Sequence, residues 1–131
     1  MSIDALLAQY RLKRHPVRAD GNCLFHALSL FFSDVSAMEM RQQCVRYVRE
    51  HAEDFEPDIS ALYECSVPVY CSRMLRPGFF GDAVILQAFT LAFPVTVYLF
   101  MPTGLTQFGS GSRNVALIRA GEHYDAAVPV A

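Results

Sequence analysis

Apolar residues recur along this chain with two periods, helical at first and strand-like after Pro94. Ser2 caps a first helix with Ile3, Leu6 and Leu7 on one face and Tyr10 continuing it. The cluster Arg11-Leu12-Lys13-Arg14 reads as its solvated C-terminal end, where cations suit the helix dipole. His15-Pro16-Val17-Arg18 is extended, since Pro disfavours helix at the residue before it. Asp20-Gly21-Asn22 is a turn, and the apolar spacing after it predicts a helix from Cys23 to about Phe32. Ser36 and Glu39 form a capping box. Beyond it, Met38, Val45, Val48, Ala52 and Phe55 predict an amphipathic helix of about five turns with Arg41, Arg46, Arg49 and Glu50 outward. Pro57 stops that helix or starts the next element.

Residues 58–76 predict two short helices, one around Ile59, Leu62 and Tyr63, the other from Val67 with Pro68 in its first turn. Pro77-Gly78 breaks the chain. Gly81-Asp82 then opens a helix running to Phe93 that is apolar nearly all round, so it should be buried. Three strands follow, over Val95–Phe100, Val115–Ile118 and His123–Val128, with turns at Pro102-Thr103-Gly104, Gly109–Ser112 and Gly121-Glu122. Helices first and strands after predict an α+β fold: one domain, 1–131, with helices packed around a small, mostly antiparallel sheet.

Composition narrows the class. A chain of 131 residues buries roughly two-thirds of its unfolded surface, so it needs neither disulfides nor a metal to hold a core. A net charge of −2, from 11 basic and 13 acidic residues, gives no reason to expect a nucleic-acid partner. The four cysteines include no C-x-x-C pair, and Cys65 and Cys71 have no matching His cluster, so no metal site is expected. No signal peptide is visible near Met1. The apolar run from Ala83 to Met101 is interrupted by Gln87, Thr90, Pro94 and Thr96, so a membrane span is not expected either. Free thiols suit a reducing compartment.

The chemistry gathers around Cys23. A thiol at a helix start meets free backbone N–H groups and the positive end of the dipole, both of which favour thiolate. Thiol hydrolysis also needs a proton-carrying His, a group to orient it and oxyanion donors. His123 begins a strand, and Asp125, two residues on, projects to the same face. The loop Asp20, Gly21, Asn22 and Cys23 offers backbone N–H groups for an oxyanion. Cys44, Cys65 and Cys71 read as structural, and His15, His26 and His51 as bland. Tyr124 projects opposite to His123, toward packing or a substrate channel, and core is the default for Phe79, Phe80 and Phe108.

Three segments resemble the OTU (ovarian tumour) family of cysteine proteases, which are mostly deubiquitinases. Val17–Leu28 is similar to its nucleophile block, Pro77–Ala88 to its central block, and His123-Tyr124-Asp125 to its terminal block. The resemblance implies a papain-like OTU fold with Cys23 as nucleophile, His123 as general base and then acid, Asp125 orienting His123, and Asp20 shaping the oxyanion loop. It implies hydrolysis of the isopeptide bond after the C-terminal glycine of ubiquitin or a ubiquitin-like modifier, without a cofactor; a monomer in the cytoplasm is expected. Tyr124, Glu122, Phe80 and Gly81 are the substrate-channel candidates, and Glu122 and Asp82 are candidates to meet the arginines of a ubiquitin tail. One departure stands out: Phe79-Phe80-Gly81 replaces the family's usual Trp followed by glycines, and the chain has no Trp. Compact viral and bacterial-effector members suggest a host-cytoplasmic role. Two alternatives stay open: a viral endopeptidase cutting its own polyprotein, and a catalytically silent ubiquitin-binding module.

Overall fold

The computed structural model describes residues 2–130; Met1 and Ala131 of the expected domain lie outside the described residues. The elements run α1 (Ile3–Gln9), β1 (Leu12–His15), α2 (Cys23–Ser29), α3 (Ala37–Glu50), α4 (Ala52–Tyr63), α5 (Val67–Met74), α6 (Ala83–Ala92), β2 (Val95–Met101), β3 (Gly104–Phe108), β4 (Arg113–Ala120) and β5 (His123–Pro129). The strands form one sheet in the order β1-β5-β4-β2-β3, antiparallel at every step except the parallel pair β2–β4. This is the α+β arrangement expected from the order of periods. No helix among the described residues is long and apolar enough to cross a membrane.

Alternation along the strands splits the core in two. Val95, Val97 and Leu99 of β2, Val115 and Leu117 of β4, and Tyr124 and Ala126 of β5 face the main cluster with α2, α3, α5 and α6. Phe100, Ile118 and Ala127 face the other way, where Leu7 of α1 covers them. The helix α6 is buried over most of its surface, and Phe89 stacks edge-on against Phe32 at 5.8 Å and tilted against Phe93 at 5.1 Å. Local signals also hold: Ser36 and Glu39 close the capping box, Ser66 caps α5 with Pro68 in its first turn, and Asp82 caps α6.

Several expectations need correction. The basic cluster does not close α1. Arg11 adopts a left-handed φ of 58°, and Leu12–His15 becomes a strand paired with β5, Leu12 opposite Pro129 and His15 opposite Ala126. A four-residue strand whose partner lies over a hundred residues away leaves no periodic trace. The helix begun at Cys23 ends at Ser29 and continues as turns to Phe32. The expected five-turn helix is two helices parted at His51, and Pro57 sits inside the second between buried Phe55 and Ile59. The segment 104–108, read as lying between turns, is the edge strand β3, half-exposed and so without clean alternation.

Phe89 is fully buried at the centre of its aromatic group. Phe89→Ala should therefore cost about 3–5 kcal/mol, read as a lower midpoint in urea unfolding with an unchanged slope.

Candidate active site

Asp125 sits in β5 and is only 5% exposed, so its charge must be met. Its Oδ1 accepts from the Val17 backbone N–H at 2.7 Å and pairs with His123 Nε2 at 2.7 Å, while its Oδ2 accepts from Arg14 Nη1 at 2.9 Å. Burial alone would raise the carboxyl, but the Val17 N–H, the Arg14 guanidinium and His123 outweigh it and hold Asp125 below its ordinary value. Asp125 is thus an ionised acceptor, which assigns the proton to His123 Nε2. The other ring nitrogen, Nδ1, is buried and has no hydrogen-bond partner. A neutral imidazole in this tautomer presents a lone pair at Nδ1, the form needed to take a proton.

Cys23 is the first residue of α2, and its side chain lies beside the start of β5. The Tyr124 N–H donates to Sγ at 3.3 Å, and the thiol contacts the Glu122 carbonyl at 3.8 Å. Burial pushes the Cys23 thiol up, and the Asp20 carboxylate adds to this. The N–H groups of Tyr124, Leu24 and Cys23 itself oppose the rise without overcoming it. The expectation that the helix start favours thiolate is therefore corrected: the amides are in place, but a sulfur on a 1% exposed residue is penalised more by lost water. No hydrogen bond joins Cys23 to His123; such bonds are commonly long in unliganded sites and tighten with substrate.

The turn before Cys23 is internally bonded. Asp20 accepts the Asn22 N–H through Oδ1 at 2.9 Å and the Cys23 N–H through its carbonyl at 3.2 Å. The Asn22 and Cys23 amides are therefore bonded to Asp20 in this structure rather than free for an oxyanion. Gly21 is required by space: a Cβ there would lie 1.5 Å from the Gly78 carbonyl oxygen.

Beside this turn a cleft of about 460 Å³ is lined by Phe79, Phe80, Gly81, Asp82, Glu122 and Tyr124, among others. Phe79 and Phe80 are each 39% exposed, which corrects their default assignment to the core. A Cβ at Gly81 would meet Leu24 Cδ2 at 2.5 Å, so the cleft wall packs directly on α2. Asp82 is engaged by its own helix, by Tyr63 Oη at 2.5 Å and by Tyr70 Oη at 2.8 Å, whereas Glu122 is exposed and forms no ion pair among the described residues. Tyr124 is buried with its hydroxyl unpaired. Among the described residues no group of three or more His, Cys, Asp or Glu side chains comes together as a metal site would need.

The family model for OTU-like cysteine proteases matches residues 18–124, most of the chain. The chain belongs to the OTU-like cysteine protease family. It is 29% identical over 135 aligned residues to mouse OTU domain-containing protein 4, covering 98% of this chain and 12% of that protein. It is 31% identical to mouse OTU domain-containing protein 3, covering 87% of this chain and 30% of that protein. The chain thus spans a minor part of the relatives' length. Its fold matches the OTU domain of OTUD1 with a TM-score of 0.81 at 24% identity, covering 95% and 91% of the two chains. It also matches the Hazara virus OTU, solved bound to ubiquitin, with a TM-score of 0.75 at 22% identity, covering 94% and 84%.

The OTU-like chain brings Cys23, His123 and Asp125 to one place, with Asp20 one turn away and Phe80, Gly81, Glu122 and Tyr124 in one cleft. His26 points to solvent, and Cys44 is a buried core thiol pushed up to about 12 by burial. Two residues lie elsewhere than expected. Arg14, assigned to a solvated helix end, is the cation on Asp125. Arg41, placed outward, is 3% exposed and bonds to the Cys23 turn. The signal for Arg41 lies in its spacing: position 41 falls four before Val45 and seven before Val48, both fully buried.

The carboxyl of Asp125 is lowered on folding, so its contribution to stability is present above the unfolded value near pH ~4 and is lost as pH falls through the lower folded value. The melting-temperature gap between wild type and Asp125→Asn should be widest near neutral pH and should close below about pH 4. A gap unchanged down to pH 3 would count against an ionised Asp125.

Proposed function

We propose that this chain is a thiol-dependent deubiquitinase that hydrolyses the isopeptide bond after the C-terminal glycine of ubiquitin or a ubiquitin-like modifier. The observation that carries the reading is the buried, unpartnered His123 Nδ1, in a ring whose Nε2–H is fixed on Asp125, beside a thiol at a helix start. Support for the substrate comes from relatives: OTU domains of this fold have been solved with ubiquitin, from Hazara virus and from Wolbachia pipientis. A virus relative, 32% identical over 87 residues, is named a putative ubiquitin thioesterase.

The proposed cycle follows from these atoms. His123 Nδ1 takes the Cys23 proton as Sγ attacks the glycine carbonyl carbon, and the carbonyl electrons move to its oxygen. The raised thiol makes this transfer a general-base step rather than attack by a standing thiolate. The imidazolium formed is stabilised by Asp125. It returns the proton to the lysine amine as the C–N bond breaks, leaving a thioester on Cys23. Water, deprotonated by His123, then attacks the thioester, releasing the carboxylate and regenerating the thiol. Asp20 keeps the oxyanion loop in shape. Phe80 and Gly81 on one wall and Glu122 and Tyr124 on the other form the channel for the glycine-terminated tail, and exposed Glu122 is the group free to meet its cations. We assign the domain to a reducing cytoplasm, acting as a monomer and needing no cofactor.

The test is reaction with ubiquitin carrying a C-terminal electrophile, alongside cleavage of a panel of di-ubiquitins and ubiquitin-like reporters. Wild type should form one adduct at Cys23 and turn over, while Cys23→Ala forms none, and His123→Ala should lose at least ~10³-fold in turnover. Normal hydrolysis by Cys23→Ala would overturn the assignment. Tight ubiquitin binding by wild type without turnover would indicate a silent binding module instead.

A further inference from the structure

Besides Asp125, Arg41 in α3 is the buried charged side chain among the described residues, and no carboxylate among them meets it. Its Nη1 donates to the Met74 carbonyl at 2.8 Å. Its Nη2 donates to the Gly21 carbonyl at 3.2 Å and to Asn22 Oδ1 at 2.8 Å, and its guanidinium lies 4.2 Å over the Phe25 ring. Asn22 Oδ1 also accepts the Gly78 N–H at 2.7 Å. One guanidinium therefore joins three segments: the turn before Cys23, the end of α5, and through Asn22 the loop that carries the cleft wall. A buried cation met by three carbonyl-type oxygens and a ring face, with no carboxylate among the described residues, is only partly compensated, since a neutral apolar side chain would fill the same site without a desolvation cost. What the planar fork supplies, and a neutral side chain does not, is fixed orientation of the Gly21 and Asn22 peptides.

We infer that Arg41 is a positioning residue: with Asn22 it holds the Gly21–Cys23 backbone in register with the cleft wall, so that the loop whose Asn22 and Cys23 amides rest on Asp20 stays beside the oxyanion formed at Cys23. The inference rests on the Cys23 chemistry proposed above, not on which acyl group Cys23 receives. Holding the Gly21 carbonyl on the α3 side fixes the plane of the Gly21–Asn22 peptide, whose N–H rests on Asp20 Oδ1 on the opposite edge. The Asn22–Gly78 bond ties that plane to the wall against which the substrate tail would lie. Arg41 touches no reacting atom, so its loss should weaken oxyanion-forming steps and leave the sulfur's intrinsic reactivity in place.

Two reactions at Cys23 separate this role from a merely structural one, and neither needs ubiquitin. Acylation by p-nitrophenyl acetate passes through a tetrahedral oxyanion, whereas alkylation by iodoacetamide is a direct displacement that forms none. Both require the same access to a covered sulfur, so access cancels in their ratio, and Cys23→Ala gives the background from the other cysteines. In Arg41→Met and Arg41→Lys the acylation rate should fall about 100-fold while alkylation stays within about threefold of wild type. Asn22→Ala cuts the bridge but keeps the guanidinium, and it should show a smaller loss of the same kind. That variant decides the matter if the Arg41 variants do not fold. Equal slowing of both reactions in folded variants, or unimpaired acylation in Asn22→Ala, would overturn the inference. If the acylation pattern holds but wild type ignores ubiquitin reporters, the substrate reading fails and the role of Arg41 stands.

Discussion

A carboxylate taken out of water at the start of β5 ties together the two ends of the chain. Asp125 is held by Val17 from the segment after β1, by Arg14 from β1 itself and by His123 from its own strand. Each bond has a structural and a chemical consequence. The Val17 and Arg14 bonds keep β1 against β5 and fix where the segment leading to the Cys23 turn begins. They also keep the carboxylate ionised, so that it accepts from His123 Nε2 and leaves Nδ1 bare. The main core can be built from α2, α3, α5, α6 and one sheet face without any of this. A working His123 cannot.

The second constraint is the packing of the Cys23 turn against the loop at Gly78. Gly21 is admitted because any side chain would collide with the Gly78 carbonyl. Asn22 accepts from Gly78 and Arg41 at once, and Gly81 lets the cleft wall rest on Leu24. The nucleophile loop and the cleft wall, over fifty residues apart in sequence, therefore form one bonded unit. The loss of the usual Trp fits the same picture: Phe79 and Phe80 keep aromatic bulk at the rim but stand half-exposed, while the bonds that position the loop are made by backbone, Asn22 and Arg41.

Much of this was legible in the residues, and the failures share a cause. Capping boxes, proline positions and the change of period marked most helices and the three longer strands, because those signals are local. The pair His123–Asp125 was legible from a two-residue spacing on a strand. What could not be read was pairing across the sequence. β1 exists because β5 offers it hydrogen bonds, and Arg14 has a role only once that pairing is formed. Arg41 differs for another reason: its charge argues for solvent while its place on the apolar stripe argues for the core, and three buried oxygen acceptors decide for the core. The thiol was misjudged because the helix start can be seen in sequence and the depth of burial cannot.

The central claim is that Asp125 fixes His123 with its proton on Nε2, leaving Nδ1 to receive the proton of Cys23. The most direct measurement is the nitrogen-15 spectrum of the His123 ring near neutral pH. It should show a protonated Nε2 coupled to Asp125 and an unprotonated, pyridine-like Nδ1, with the pattern lost in Asp125→Ala. A proton on Nδ1 with a bare Nε2 would contradict the account.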